Sequence, residues 1–263
     1  MYTSLTIEQQ QGVATIWMDR PDVLNAFDET LIAELHQVCL ALATDDTVRV
    51  VVLAGKGRHF SAGADLNWMK RASAFGFDEN LGDARVFADM LHTLATLNKP
   101  TIARIQGAAL GGGTGLAAAC DMVVASDDAK FATSEVLFGI IPAVISPYVL
   151  RAIGPRHALR YFQTGERFSA AEALTMGLVT KVVAVDELDA AVAELTSKLR
   201  QGGPKAQAAS KALIQAIVTL PLGPEACEAT AQRIAAQRAT DEARDGISAF
   251  LDKRQPAWLS DKE

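Results

Sequence analysis

Apolar residues along this chain follow two spacings, and the switches between them mark strands and helices. Residues 5–8 and 13–18 are short β-rich runs on either side of Gln11-Gly12, which predicts two paired strands joined by a turn. In DETLIAELHQVCLAL the period changes: Leu31, Ile32, Leu35, Val38, Cys39 and Leu42 recur at three and four residues and make one helical face. Residues 49–54 are a continuous apolar run, the pattern of a strand buried on both sides. Residues 101–105, entered through Pro100, and 121–125, after the small-residue stretch GGGTGLAAAC, predict two further strands. This alternation is that of an α/β fold. After about Pro155, helix-forming stretches such as AAVAELTSKLRQ and PEACEATAQRIAAQRA take over. Gly202-Gly203-Pro204 is the best break, because Gly ends helices and Pro starts them, so the expected division is a core over 1–203 and a helical region over 204–263. In that region Leu213, Ile214, Ile217, Ile247, Phe250 and Leu251 need a cover, from the core or from a neighbouring subunit.

Composition narrows the classes. With 263 residues, 49% hydrophobic and 21% charged, the chain is neither disordered nor a small disulfide scaffold. Its formal charge of -6 would repel a polyphosphate backbone, so nucleic acid is not an expected partner. Cys39, Cys120 and Cys227 are far apart and odd in number, which suggests neither disulfides nor a thiolate zinc site. MYTSLTIEQQQ has neither a signal-peptide nor a transit-peptide pattern, and no apolar stretch reaches the roughly 18 residues of a membrane span. The expectation is a cytoplasmic protein with no membrane partner.

Two segments and one acid carry candidate chemistry. In Ser61-Ala62-Gly63-Ala64-Asp65 no bulky side chain shields the main chain, and amides at a helix start lack intrahelical acceptors, so the Ala64 N–H is a candidate ligand donor. The competing reading is a glycine turn with Asp65 at a helix N-terminus. Gly111-Gly112-Gly113 likewise frees amides between a strand and a helix. Gly113 to Ala118 satisfies GxGxxA, and Glu135 falls twenty residues after Gly115, where a ribose-binding acid would be sought. That dinucleotide reading is rejected, since the glycines begin several residues beyond the strand and the next strand should end near Ser126-Asp127. Glu135 lies among Phe131, Val136, Leu137 and Phe138, where desolvation would raise its pKa toward the range useful for proton transfer. Its alternative role is a first-turn glutamate of a short helix capped by Thr133 or Ser134. GxSxG, HExxH and Walker sequences are missing, and the four histidines have no ligand spacing, so no metal is expected.

RPDVLNAFDETLIAEL, VVLAGKGRHFSAGADLNWM, KPTIARIQGAALGGGTGLAAACD, SEVLFGIIP and ISAFLDKRQPAW, in this order, resemble the enoyl-CoA hydratase/isomerase (crotonase) family over nearly the whole chain. GADLNWM with SEV..GIIPAVISPYVLRAIG looks most like bacterial hydratases of glutaconyl-type CoA esters, such as methylglutaconyl-CoA or isohexenylglutaconyl-CoA hydratase. The resemblance implies a spiral of ββα turns with a helical carboxy-terminal region that mediates trimerisation, assembled as a homotrimer or dimer of trimers. It implies an acyl-CoA thioester substrate and no separate cofactor, coenzyme A being part of the substrate. By motif position the N–H groups of Ala64 and Gly112 would form an oxyanion hole, and Glu135 would be the catalytic acid/base. Ala62, Asp65 and Leu66 would lie along coenzyme A, with Phe250 and Lys253 reaching it from the same or an adjacent subunit; a core aromatic and a solvated charge are the competing roles of the last two. Typical hydratases pair two glutamates, and here the first position is Gly115, so the acid/base pair is incomplete. Residues 142–149, PAVISPYV, are bulkier than the usual glycine-rich family segment and should reshape the acyl pocket. Hydration by one carboxyl group is the favoured expectation. Isomerisation by the same glutamate and a non-catalytic acyl-CoA-binding role are the rivals. Lys70, Arg71 and Tyr148 are candidate partners of a distal carboxylate by proximity alone.

Overall fold

The expected hairpin forms: β1 (Leu5–Gln10) pairs antiparallel with β2 (Val13–Met18) across Gln11-Gly12, both of positive φ. The computed structural model describes residues 2–259. Strand β1 runs two residues past the predicted end because it is an edge strand, where Gln9 and Gln10 keep the ladder while their side chains stay exposed. Helix α1 (Glu29–Thr44) starts at Asp28, whose carboxylate accepts from Leu31 N at 2.9 Å. It buries Leu31, Ile32, Leu35, Val38, Cys39 and Leu42, the face given by the spacing. Strand β3 (Val50–Gly55) is buried at every residue, as its unbroken apolar run requires.

The chain then coils. After β3 come α2 (Leu66–Ala72) and α3 (Phe77–Ala95), then β4 (Thr101–Ile105), β5 (Ala108–Leu110), α4 (Gly112–Ala119), β6 (Met122–Ser126), β7 (Lys130–Ala132) and α5 (Ser146–Thr164), which is broken at Gly154. Strands β8 (Phe168–Ser169) and β9 (Lys181–Val183) flank α6 (Ala170–Met176), and α7 (Leu188–Gln201) follows. A six-stranded sheet has the order β1-β2-β3-β4-β6-β9, parallel beyond the hairpin, and a small sheet has the order β5-β7-β8. Successive coils therefore place one strand in the large sheet, a second in the small sheet, and a helix. This is the ββα spiral that the family resemblance implied. A parallel bridge between Ser61 and Ala109 extends the small sheet's stacking to the coil that follows β3. The strands β8 and β9, at two and three residues, are too short to register in a periodicity.

The compact unit holding these sheets takes in the chain up to Leu97 and Thr101–Glu194; the other takes in Asn98–Pro100 and the chain from Leu195 on. The second unit holds α8 (Pro204–Ile217), α9 (Pro224–Arg238) and α10 (Asp241–Leu251). Glu242 accepts from Lys205 N and Ala206 N at 2.9 and 2.8 Å, satisfying two orphan donors at the start of α8. Trp258 packs on Gly246 and donates from Nε1 to Gln201 O at 3.0 Å. Ile214, Ile247, Phe250 and Leu251 are exposed, with Leu213 and Ile217 half-buried. Among the described residues no helix is long and apolar enough to cross a membrane.

Candidate active site

Segment 61–65 is held between two neighbours. On one side, Ser61 N donates to Ala108 O (2.9 Å) and Leu110 N donates to Ser61 O (3.0 Å). On the other, Ala62 N donates to Leu24 O, Phe27 N to Gly63 O and Asp65 N to Phe27 O, at 3.0, 2.7 and 2.8 Å. Because Phe27 takes Gly63 O and Asp65 N, the alternation of an extended segment turns the Ala64 N–H the other way. No acceptor among the described residues meets it there. The brace at 24–27 is built from Leu24 and Asn25, both left-handed (φ 55° and 53°). Fully buried Asn25 donates from Nδ2 to Lys56 O and His59 O, each at 2.9 Å, and accepts from Arg20 N. Those two residues shape the brace that holds the segment and were not singled out in sequence; the signal was Asn placed where an αL turn is tolerated.

Segment 111–115 begins with Gly111 at φ 52°, a conformation that favours glycine. Its N–H donates to Ala132 O at 2.8 Å, and the chain turns directly into α4, leaving the N–H of Gly112 without an acceptor among the described residues. Gly113 lies against Ser61, where a β-carbon would stand 3.0 Å from Ser61 O. Buried Thr114 ties the helix start down: its Oγ1 lies 2.7 Å from Ala109 O and 2.8 Å from Ala132 O, and accepts from Ala132 N. The spiral explains why the two free amides meet one cavity. Ser61 is bridged to Ala109, and Ala64 and Gly112 each lie three residues further on in adjacent coils.

Glu135 opens a single 3-10 turn (Glu135–Phe138) after Ser134, closed by Gly139 at φ 76°. The sequence reading of a short capped helix holds only as that turn, and neither Thr133 nor Ser134 caps it: the Thr133 hydroxyl donates to Tyr161 O instead. The carboxyl is largely desolvated. Its Oε2 is buried with no hydrogen-bond partner among the described residues, and burial pushes its pKa above the usual carboxylate range, with its own backbone N–H pulling the other way.

Ala62, Ala64, Leu66, Gly111, Gly112 and Glu135, all singled out in sequence, line one cavity of about 840 Å³. Most of its wall is apolar, from Phe27 and Phe87 on one side to Ile140, Ile141 and Val144 on another; the ionisable lining residues are Asp83, Glu135 and Arg167. Burial raises the pKa of the Asp83 carboxyl as well. Asp65 does not line the cavity. Its Oδ1 accepts from Asn67 N and Trp68 N, and its Oδ2 stands 3.4 Å from Arg20, so it is the helix cap of the competing sequence reading. Phe250, 83% exposed, and Lys253, at φ 54°, lie at and just past the end of α10 in the second unit. Of the proposed carboxylate partners, Arg71 is clamped to Glu29 through two hydrogen bonds of 2.8 and 2.7 Å, and neither Lys70 nor Tyr148 lines the cavity. Arg167 does, just before β8, in the short link between the Gly165 that ends α5 and the Ser169 that caps α6; nothing in the local pattern tells which way its side chain faces, and the sequence reading did not single it out.

Known proteins align with the chain over nearly all of its length. The sequence profile of the enoyl-CoA hydratase/isomerase family matches residues 8–261. The chain is 36% identical to the 2,3-dehydroadipyl-CoA hydratase of Escherichia coli (strain K12) over 257 residues, 97% of this chain and 98% of that protein. An enoyl-CoA hydratase structure from Shewanella pealeana ATCC 700345 superposes with a TM-score of 0.95 at 39% identity, covering 97% of this chain and 96% of that one. A Legionella pneumophila structure, provisionally described as an enoyl-CoA hydratase/isomerase (crotonase), superposes with a TM-score of 0.92 at 43% identity, covering 97% and 98%.

Proposed function

The chain belongs to the enoyl-CoA hydratase/isomerase family and is an enzyme of that kind, and from that premise we propose that it adds water across the double bond of an α,β-unsaturated acyl-CoA thioester with Glu135 as its one acid/base group. The thioester carbonyl oxygen accepts from the N–H groups of Ala64 and Gly112. The Glu135 carboxylate takes a proton from water, the resulting hydroxide bonds to the β-carbon, and the displaced π electrons form an enolate whose oxygen the two amides hold. The Glu135 carboxyl then returns its proton to the α-carbon. Each such donor contributes about 2.7–4 kcal/mol to the transition state, and a positioned acid/base about 10²–10⁴ in rate. Because both donors are main-chain groups, the chain must specify loop geometry rather than side-chain identity at 64 and 112. The observation that carries the reading is the pair of amides without acceptors among the described residues, on the wall that also bears the unpartnered Oε2 of Glu135.

Glu135→Gln tests it. Turnover of enoyl-CoA esters should fall by about 10² or more while their binding, followed by calorimetry, persists; near-normal turnover overturns the assignment. Isomerisation is the second reading, favoured by the glycine at 115, since moving a proton between two carbons needs one carboxyl and no water. Product mass separates the two, because only hydration adds a water.

The acyl group is of the glutaconyl type in this reading, branched and with a distal carboxylate, as in methylglutaconyl-CoA or isohexenylglutaconyl-CoA. Arg167, the cation on the cavity wall, would meet that carboxylate, and the Escherichia coli relative's name also specifies a dicarboxylic acyl group. Arg167→Gln should raise KM for dicarboxylic acyl-CoA esters and spare straight-chain ones; an equal effect on both defeats this choice of substrate. Assembly as a homotrimer or a dimer of trimers would cover Ile214, Ile247 and Leu251, exposed in the single chain, and bring Phe250 and Lys253 to coenzyme A.

A further inference from the structure

Gly115 stands one helical turn beyond Gly111, its N–H donating to Gly111 O at 3.1 Å, and it is fully enclosed. That turn is about 6 Å of helix, and side chains of a helix lean back toward its N-terminus, so a side chain at 115 would start about one turn from where Gly111 packs against the Glu135 carboxyl. The space is already taken. A β-carbon on Gly115 would lie 2.7 Å from Cβ of Ile145 and closer still to its Cγ2. Ile145 is 2% exposed and lines the cavity. It has little freedom to give way, for its carbonyl accepts from Tyr148 N and Val149 N at 3.2 and 3.1 Å as α5 begins. The overlap involves its branch point, not the far end of a flexible side chain.

We propose that Ile145 is a specificity-determining residue that limits this site to a single carboxyl group: it fills the volume open to a side chain at position 115 and presents hydrocarbon to the acyl chain one helical turn from Glu135. Gly115 and Ile145 are then a reciprocal pair, in which the bulk that one position lacks is supplied by the other. With Ile141 and Val144 on the same wall, the site favours an acyl group that is alkyl near its double bond and leaves no polar group there to hold a second water. The inference builds on the reading of Glu135 as the acid/base group.

The test is a double-mutant cycle of Gly115→Glu and Ile145→Ala, read by thermal unfolding, by kcat/KM on straight-chain and β-methyl enoyl-CoA esters, and by the pH profile. Gly115→Glu alone should lower kcat/KM and melting temperature. Adding Ile145→Ala should restore kcat/KM by about tenfold over Gly115→Glu, the size expected of coupled neighbours, and add a second ionisation to the pH profile. Ile145→Ala alone should narrow the preference for the β-methyl ester. Gly115→Glu behaving like the parent, or two substitutions whose effects simply multiply, overturns the proposal. Should Gly115→Glu fail to fold, Gly115→Ala with and without Ile145→Ala asks the same question, since the β-carbon alone makes the overlap. A failure of the Glu135 reading is distinguishable: turnover would then survive Glu135→Gln while the Gly115–Ile145 coupling in melting temperature remained.

Discussion

Gly111 and Glu135 are fitted to each other: a β-carbon on Gly111 would stand 3.3 Å from Glu135 Oε1, and the φ of 52° disfavours one independently. Gly111→Ala should therefore strike conformation and carboxyl together. Stability should fall by about 1–3 kcal/mol, and kcat should fall further than the melting temperature explains. Chemical denaturation alongside steady-state kinetics checks this; a variant that loses stability and keeps kcat would show that the carboxyl does not depend on this contact.

Burial raises the pKa of Glu135, so in the folded protein its protonated form is favoured relative to the unfolded chain. The ionised carboxyl therefore costs stability at neutral pH, and that cost disappears as pH falls through the folded pKa. Glu135→Gln should melt higher than the parent at pH 7–8, and the difference should shrink on acidification. In the proposed mechanism the carboxylate accepts a proton from water, and the acid limb of kcat/KM should then lie above the ordinary glutamate range. Melting curves and rate profiles over pH 4–8 report both.

His59 has the opposite sign. Its Nδ1 accepts from Ala108 N at 3.0 Å, linking the loop after β3 to the start of β5, and that bond requires an unprotonated Nδ1. Burial and the neighbouring Arg58 hold its pKa below the ordinary imidazole value, against Asp128. The stabilisation is complete above about pH 6.5 and is lost as pH falls from there through the folded pKa. In His59→Gln this part of the acid slope should vanish. An unchanged slope would mean that other groups set it.

Thr114 offers a test of the helix anchor. Thr114→Val removes a buried hydroxyl from between two carbonyls and an amide, which should cost about 1–3 kcal/mol and lower kcat/KM as the start of α4 loosens. Thr114→Ser should keep most of both. Serine behaving like valine would attribute the effect to the lost methyl.

The elements with long periods were legible: the six-residue face of α1 and the unbroken run of β3 could be read directly from spacing. The convergence of Ala64, Gly112 and Glu135 on one cavity was legible too, because small residues and an acid among apolar neighbours leave a mark in sequence. What escaped were features set by residues distant in the chain. Asn25 matters through Lys56 and His59, Arg167 reaches the wall through the coil around β7 and β8, and the neighbour that Gly115 accommodates is thirty positions away at Ile145. Asp65 was legible as a helix cap, and the structure shows it in that role and away from the cavity wall.

The bridge between Ser61 and Ala109 makes the placement of the two proposed oxyanion-hole amides, Ala64 and Gly112, a matter of counting. Adding or deleting a single residue between Ser61 and Ala64, or between Ala109 and Gly112, would put one nitrogen out of phase with the other while every side chain in the cavity stayed chemically intact. On the proposed mechanism a substitution at those joints should only lower activity, whereas a change of length there should abolish it.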